Sequence, residues 1–205
     1  MDGVLVDSRG VVERTWRRWA ARHVLDPEPI LRIAHGRRTS ESLRLVYPEL
    51  AIDEEVALLD AAELEDLEGL TAIPGAAALL SALPAGRWGI VTSAGRDLAE
   101  LRLGRAGLPV PDMLVTSEEV LRGKPAPDGY LLGAERLGVE PSRAVVVEDA
   151  PPGLDAARAA GMRVIALTTT HRAAHLGVAD TVIPDLTWLR LSVEQEEIVL
   201  DLSPP

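Results

Sequence analysis

The chain of 205 residues contains no cysteine. Disulfides, zinc-thiolate sites and cysteine nucleophiles are thereby excluded, and any metal must sit on oxygen or histidine. Long apolar runs are missing too: nothing approaches the roughly 18 to 20 residues of a membrane span, and the N-terminus has no basic segment followed by a long apolar stretch. A cytoplasmic protein is expected. Positive charge is scarce, with 21 Lys and Arg against 32 Asp and Glu and a formal net charge of -11. Nucleic acid and anionic membrane surfaces both select for clustered positive charge, so this balance argues against either as a partner. A small diffusible molecule fits better, bound by a monomer or weak homodimer. Lysine is almost absent: of the 21 basic residues only Lys124 is not arginine. Arginine serves wherever a positive charge suffices, but it is larger and planar and cannot aim a compact ammonium at one oxygen. Lys124 therefore either marks a place where only an ammonium works or survives by chance.

A hydrophobic content of 47% over this length supports one substantial core and a modest inserted subdomain. The apolar run Val4-Leu5-Val6 enters a helical stretch from Arg9 to Val24, with Trp16 and Trp19 spaced for one buried face. From Pro27 to Glu68 only helical patterns occur, over Glu28 to Ala34, Ser40 to Val46 and Asp53 to Glu68, the last with Asp53 as N-cap. After Ile73-Pro74-Gly75, short β runs alternate with helices. The β runs are Trp88 to Thr92, Met113 to Thr116, Ala144 to Val147 and Val164 to Leu167. That alternation predicts an α/β fold with a doubly wound parallel sheet, built from residues 1–10 and 74–205, and an all-helical insert over 11–73. Ligands of such sheets bind beyond the carboxyl ends of the strands, which places Thr92, Ser93, Ser117, Glu148 and Asp149 at one site.

Four short motifs fall in order along the chain. They are Asp2-Gly3-Val4-Leu5-Val6-Asp7-Ser8, then Trp88 to Ser93 ending in a hydroxyl pair, then Gly123-Lys124-Pro125-Ala126-Pro127-Asp128, then Val145 to Asp149 with the helix from Gly153 to Met162. A pair such as Glu148-Asp149 alone is usually a solvated loop or a cap, and a threonine such as Thr92 is common at a strand end. As an ordered set they resemble the signature motifs of the haloacid dehalogenase superfamily, in its sugar- and polyol-phosphate phosphatase-like branch. The resemblance implies a Rossmann-type core with a helical cap, and Mg-dependent hydrolysis of a small phosphorylated metabolite through an aspartyl phosphate. It implies Asp149 as a metal ligand, with Asp2 also at the metal, and Glu148 either as a ligand through water or as an orienting group. Lys124 would neutralise phosphoryl oxygens, and the Thr92 hydroxyl and Ser93 N–H would hold them, as phosphoryl transfer requires positioning and charge compensation. In the cap, His35, Gly36, Arg37 and Arg38 would contact the substrate, or else form an ordinary solvated loop.

Asp2 matches the family's second aspartate, the acid–base residue. The nucleophile would fall immediately before Met1, and Asp7 is too far along to replace it, reading better as a helix cap. The family's first strand is missing with it. The native chain is therefore expected to start upstream, consistent with the arginine bias of a GC-rich genome, where alternative start codons are frequent. A phosphomutase of the same family and a non-catalytic phosphometabolite-binding protein are the alternatives. A dehalogenase proper is disfavoured by the acidic pair and Asp2-Gly3.

Overall fold

In the computed structural model, which describes residues 1–194 and 197–204, strand β1 (Val6–Asp7) leads into helices α1 (Arg9–Arg22), α2 (Glu28–Leu31), α3 (Thr39–Val46) and α4 (Asp53–Glu65). Strand β2 (Thr71–Ala72) then returns the chain to β1. The two pair antiparallel, Val6 opposite Ala72 and Asp7 opposite Thr71, and Ile73 N–H donates to the Leu5 carbonyl at 2.8 Å. Both ends of the helical segment thus leave the sheet side by side. α1 carries its stripe at Val11, Val12, Thr15, Trp16, Trp19 and Ala20, the spacing that keeps one helical face inward. Trp16 and Trp19 meet edge to face at 5.6 Å and pack with Ile30, Leu43 and Leu59 in an apolar cluster of the helical lobe's own.

Several boundaries of the lobe differ from expectation: α1 ends at Arg22 rather than Val24, α2 at Leu31 rather than Ala34, α3 begins at Thr39 rather than Ser40, and α4 differs at both its cap and its end. α4 is capped by Ile52 rather than Asp53, which joins Glu54 and Glu55 as an acidic first turn at the positive end of the helix dipole. It ends at Glu65 because Asp66 turns away to accept from Arg14 Nε at 3.0 Å and Nη2 at 2.8 Å, and from Arg18 at 3.2 Å. The Arg14 fork, working against burial, holds the Asp66 carboxyl down from 3.8 to about 2. A depressed carboxyl stabilises the fold above its unfolded value and stops doing so as pH falls through its folded value. Asp66→Asn should therefore lower Tm by about 2–4 °C at neutral pH, the effect of roughly 1 kcal/mol in a chain this size. The gap from the parent should close between about pH 4 and pH 2. A gap that persists at pH 2 would mean the loss is one of packing.

Beyond the lobe come α5 (Ala76–Ala82), β3 (Ile90–Val91), α6 (Arg96–Arg105), β4 (Leu114–Val115), α7 (Asp128–Leu137), β5 (Val145–Glu148), α8 (Pro151–Ala159), β6 (Arg163–Leu167) and β7 (Thr181–Ile183). β3 pairs parallel with β4, and β5, β6 and β7 form a parallel triplet in that order. Helices between parallel strands bear out the α/β reading. The antiparallel hairpin of β8 (Leu189–Glu194) and β9 (Glu197–Leu202) is an addition that the β runs singled out in the sequence did not include.

β3 and β5 do not pair with each other. Each has a partner on one side only among the described residues, and between them runs a largely apolar cleft of about 470 Å³ that includes Val91, Tyr130, Val145, Val147, Leu5 and Met1. One-sided pairing also explains why the apolar run Trp88 to Thr92 yields a ladder only at Ile90 and Val91. Unpaired backbone donors and acceptors flanked by apolar side chains are the surroundings of a strand inside a sheet.

Candidate active site

The loops after β3, β4 and β5 converge at the carboxyl ends of their strands, and the helical lobe lies over them. The cavity between has a volume of about 520 Å³. Asp2, Thr92, Ser93, Lys124, Glu148 and Asp149 form its sheet side, and His35, Gly36, Arg37 and Arg38 its lobe side. Every residue singled out in the motifs as a site candidate therefore faces one space, although Asp2 and Asp149 lie at nearly opposite ends of the motif order.

Glu148, the last residue of β5, is buried and fully engaged. Its Oε1 pairs with the Lys124 ammonium and accepts from Tyr130 Oη at 2.6 Å, while Oε2 accepts from the Asp149 N–H at 3.0 Å. Burial alone would raise its carboxyl, but the Lys124 charge and the hydrogen bonds from Lys124 and Tyr130 contribute together with other nearby positive charge to hold it well below the usual range. A carboxylate with both oxygens spent is an orienting group, which favours the second of the two roles open to Glu148. Gly153 in α8 lies so close that a Cβ there would meet the Glu148 carboxyl, so the glycine in the fourth motif is a packing requirement.

Asp149 is placed differently. It is buried beside the Glu148 charge, and burial first and that charge second push its carboxyl up to about 7. The Thr170 hydroxyl donates to Asp149 Oδ2, and Gly3 approaches with φ +69, where a Cβ would run into the same carboxylate. Gly3 thus serves both a left-handed turn and a close approach. Asp2 Oδ1 accepts from Arg102 Nη1 at 2.9 Å. Burial pushes its carboxyl up, but the Arg102 charge, the other positive charge nearby and the hydrogen bonds from Ser8 and Arg102 together bring it below the usual carboxylate range. Among the described residues no three His, Asp or Glu side chains cluster as a ready metal cage.

Thr92 Oγ1 accepts from Ala94 N–H at 3.2 Å, which leaves its own proton to donate. Ser93 Oγ instead donates across to the Gly36 carbonyl at 3.0 Å, tying sheet to lobe. Gly36 has φ +81 and packs against Ala150, where a Cβ would be 2.7 Å from the alanine methyl. The two arginines beside it part company. Arg38 spends its fork on the backbone, donating to the Val120 carbonyl at 2.9 Å and to Leu121 at 3.4 Å, and its neighbour Glu41 accepts from Gly123 N–H at 3.1 Å. Arg38 thus ties the lobe to the loop before Lys124 through its terminal nitrogens, while its buried Nε has no hydrogen-bond partner among the described residues. Arg37 keeps a buried Nε with no partner among the described residues. His35 stacks edge-on to His171 at 6.3 Å, and burial followed by His171 lowers its pKa. Asp7 accepts from Arg9 N–H at 3.3 Å, but the N-cap position of α1 is held by Ser8, one residue nearer the helix than the cap expected at Asp7.

Several residues at this site were not singled out from the sequence: Arg102, Glu63, Tyr130, Thr170 and His171. Arg102 had a signal, a charge within the apolar stripe Leu98, Ala99, Leu103 of α6. Thr170 and His171 follow β6 and fall under the same strand-end rule as Thr92. Tyr130 had none.

The chain's similarities agree with this geometry. The family model for haloacid dehalogenase-like hydrolases matches residues 1–161. Hexitol phosphatase A of Escherichia coli is 47% identical over 197 residues, covering 94% of this chain and 91% of that protein. Validoxylamine A 7'-phosphate phosphatase of Streptomyces hygroscopicus is 40% identical over 198 residues, covering 93% of each. A crystal structure of a hydrolase from Pseudomonas syringae superposes with a TM-score of 0.79 at 26% identity, covering 91% of both chains. With its motifs gathered at the strand ends under a helical lobe, the chain belongs to the haloacid dehalogenase-like hydrolases.

Proposed function

We propose that the protein is a cytoplasmic, Mg-dependent phosphatase of a small sugar or polyol phosphate, the helical segment 11–73 acting as its cap. The observation that carries this is the joint presence of Lys124, Thr92 and an uncompensated Asp149 in one cavity roofed by a polar lobe loop. The relatives named as phosphatases of a hexitol and of validoxylamine A 7'-phosphate support a polyhydroxylated substrate. A buried carboxylate pushed up beside a second negative charge is where a hard divalent cation fits, and Mg accepts few carboxylates with water completing its sphere. Asp149 would hold it, with Asp2 near and Glu148 orienting Asp149 or reaching through water. When bound, the cation offsets the repulsion between a carboxylate nucleophile and the phosphoryl oxygens.

The side chains supply the rest. Lys124 and the Thr92 hydroxyl hold phosphoryl oxygens, Asp2 protonates the leaving alkoxide and then takes a proton from the attacking water, and Arg37 meets the substrate end remote from phosphorus. The nucleophilic aspartate of this scheme belongs directly before Met1, at the end of a strand in the cleft between β3 and β5. The test is phosphate release with Mg from a panel of hexitol, glycerol and sugar monophosphates. Arg37→Ala should raise KM about tenfold while changing kcat little, the value of one charge-assisted hydrogen bond made equally before and during reaction. No phosphate release from any monoester, by the chain with or without an N-terminal strand, would defeat the reading.

A further inference from the structure

Among the described residues Arg102 is the most deeply buried charge, 2% exposed, and sits mid-helix in α6 among buried Leu98, Ala99 and Leu103. Its guanidinium joins two parts of the molecule that otherwise belong to different layers. Nη1 donates to Asp2 Oδ1 at 2.9 Å on the sheet side, and Nη2 donates to Glu63 Oε2 at 2.9 Å on lobe helix α4. Nε has no partner among the described residues. Because the guanidinium is one rigid plane, its two terminal nitrogens cannot move independently. A shift of α4 that carries Glu63 away therefore turns the fork and changes how Asp2 is held, while a seated α4 shares one cation between two carboxylates and leaves Asp2 less tightly bound.

We propose that Arg102 is a positioning residue that couples seating of the helical lobe to the orientation of Asp2, with Glu63 as the group it reads on the lobe. A tie serving stability alone needs no contact with Asp2, and α4 and α6 already pack against each other. The device makes acid–base readiness conditional on a lobe that has closed over substrate, so the proton is delivered only when water is excluded. The inference rests on the acid–base role proposed for Asp2.

Two readouts on Glu63→Ala, Glu63→Gln and Arg102→Lys test it. In hydrogen exchange on the protein itself, Glu63→Ala should speed exchange of the segment Met1 to Ser8 by about fivefold or more, although the substitution lies in the lobe. Faster exchange confined to α4 would overturn the coupling. In turnover, Glu63→Ala should lose about tenfold more kcat on a hexitol phosphate than on p-nitrophenyl phosphate, whose leaving group needs no proton. Glu63→Gln, which still accepts from Nη2, should recover most of that loss, and Arg102→Lys, which lacks the fork, should not. Equal losses on the two esters overturn the proposal. The turnover comparison is made on the chain carrying an apolar strand ending in aspartate before Met1; if that chain too hydrolyses neither ester, the phosphatase reading is what has failed, and the exchange result alone decides whether Glu63 and Asp2 are coupled.

Discussion

Lys124→Ala is expected to abolish phosphate release and also to lower Tm by about 10 °C, because it leaves Glu148 buried without its cation. Breaking a buried ion pair by removing one partner costs roughly 3–5 kcal/mol, and a chain of this size loses about 2–4 °C per kcal/mol. Tyr130 and the Asp149 N–H remain on Glu148, but neither supplies positive charge. The Glu148 carboxyl would rise, since the Lys124 charge is the largest of the influences that together hold it down against burial. Lys124→Arg separates the two effects: it keeps the charge, so most of the stability returns, while a bulkier planar group beside Tyr130 cannot aim at one phosphoryl oxygen, and kcat falls by about 100-fold or more. Adding Glu148→Gln to Lys124→Ala should restore part of the lost Tm with no return of activity, since the buried charge is gone but the catalytic cation is too. Thermal melts and phosphate release on the four proteins decide it. An unchanged Tm in Lys124→Ala would show that Glu148 does not depend on the Lys124 charge for its burial.

The second large effect concerns the cleft between β3 and β5. A short apolar extension ending in aspartate, placed directly before Met1, should raise Tm by about 10 °C or more. Burying three or four apolar side chains contributes roughly 1.5–3 kcal/mol each, before the two ladders that the strand completes. The same extension should bring phosphate release, and ending it in asparagine should keep the stability without the turnover. The two outcomes are independent: added stability tests the cleft as a strand site, and added turnover tests the aspartate as nucleophile. An extension that changes neither would show that the cleft is closed by other means, and the catalytic scheme would then need a different nucleophile.

Much of the site was legible before any fold was known, because each motif is local. Val145 to Asp149 announces a strand with two acids at its end, and Gly123-Lys124-Pro125 announces a lysine in a rigid loop, whatever surrounds them. The strand-end rule then brings Thr92, Glu148 and Asp149 together with no knowledge of side-chain contacts. Helix existence in the lobe followed from period and from the pair Trp16 and Trp19, while the ends of α2 and α4 did not, since capping is decided by partners such as Arg14 that lie elsewhere in the chain.

By itself, then, the sequence determined the α/β alternation, the helical segment between the first two motifs and the motif-borne part of the site, because periodicity and strand-end position are properties of neighbouring residues. What each site residue does was decided by tertiary structure. Glu148 and Asp149 are adjacent in sequence and alike in chemistry, yet Lys124 and Tyr130 satisfy one and leave the other uncompensated. Arg37 and Arg38 are identical neighbours, yet only Arg38 lies within reach of the Val120 and Leu121 carbonyls. Arg102 gained its meaning from residues 100 positions before it and 39 before it. Charge, donor count and burial are set by what a residue meets across the fold, and that meeting is invisible to any local pattern.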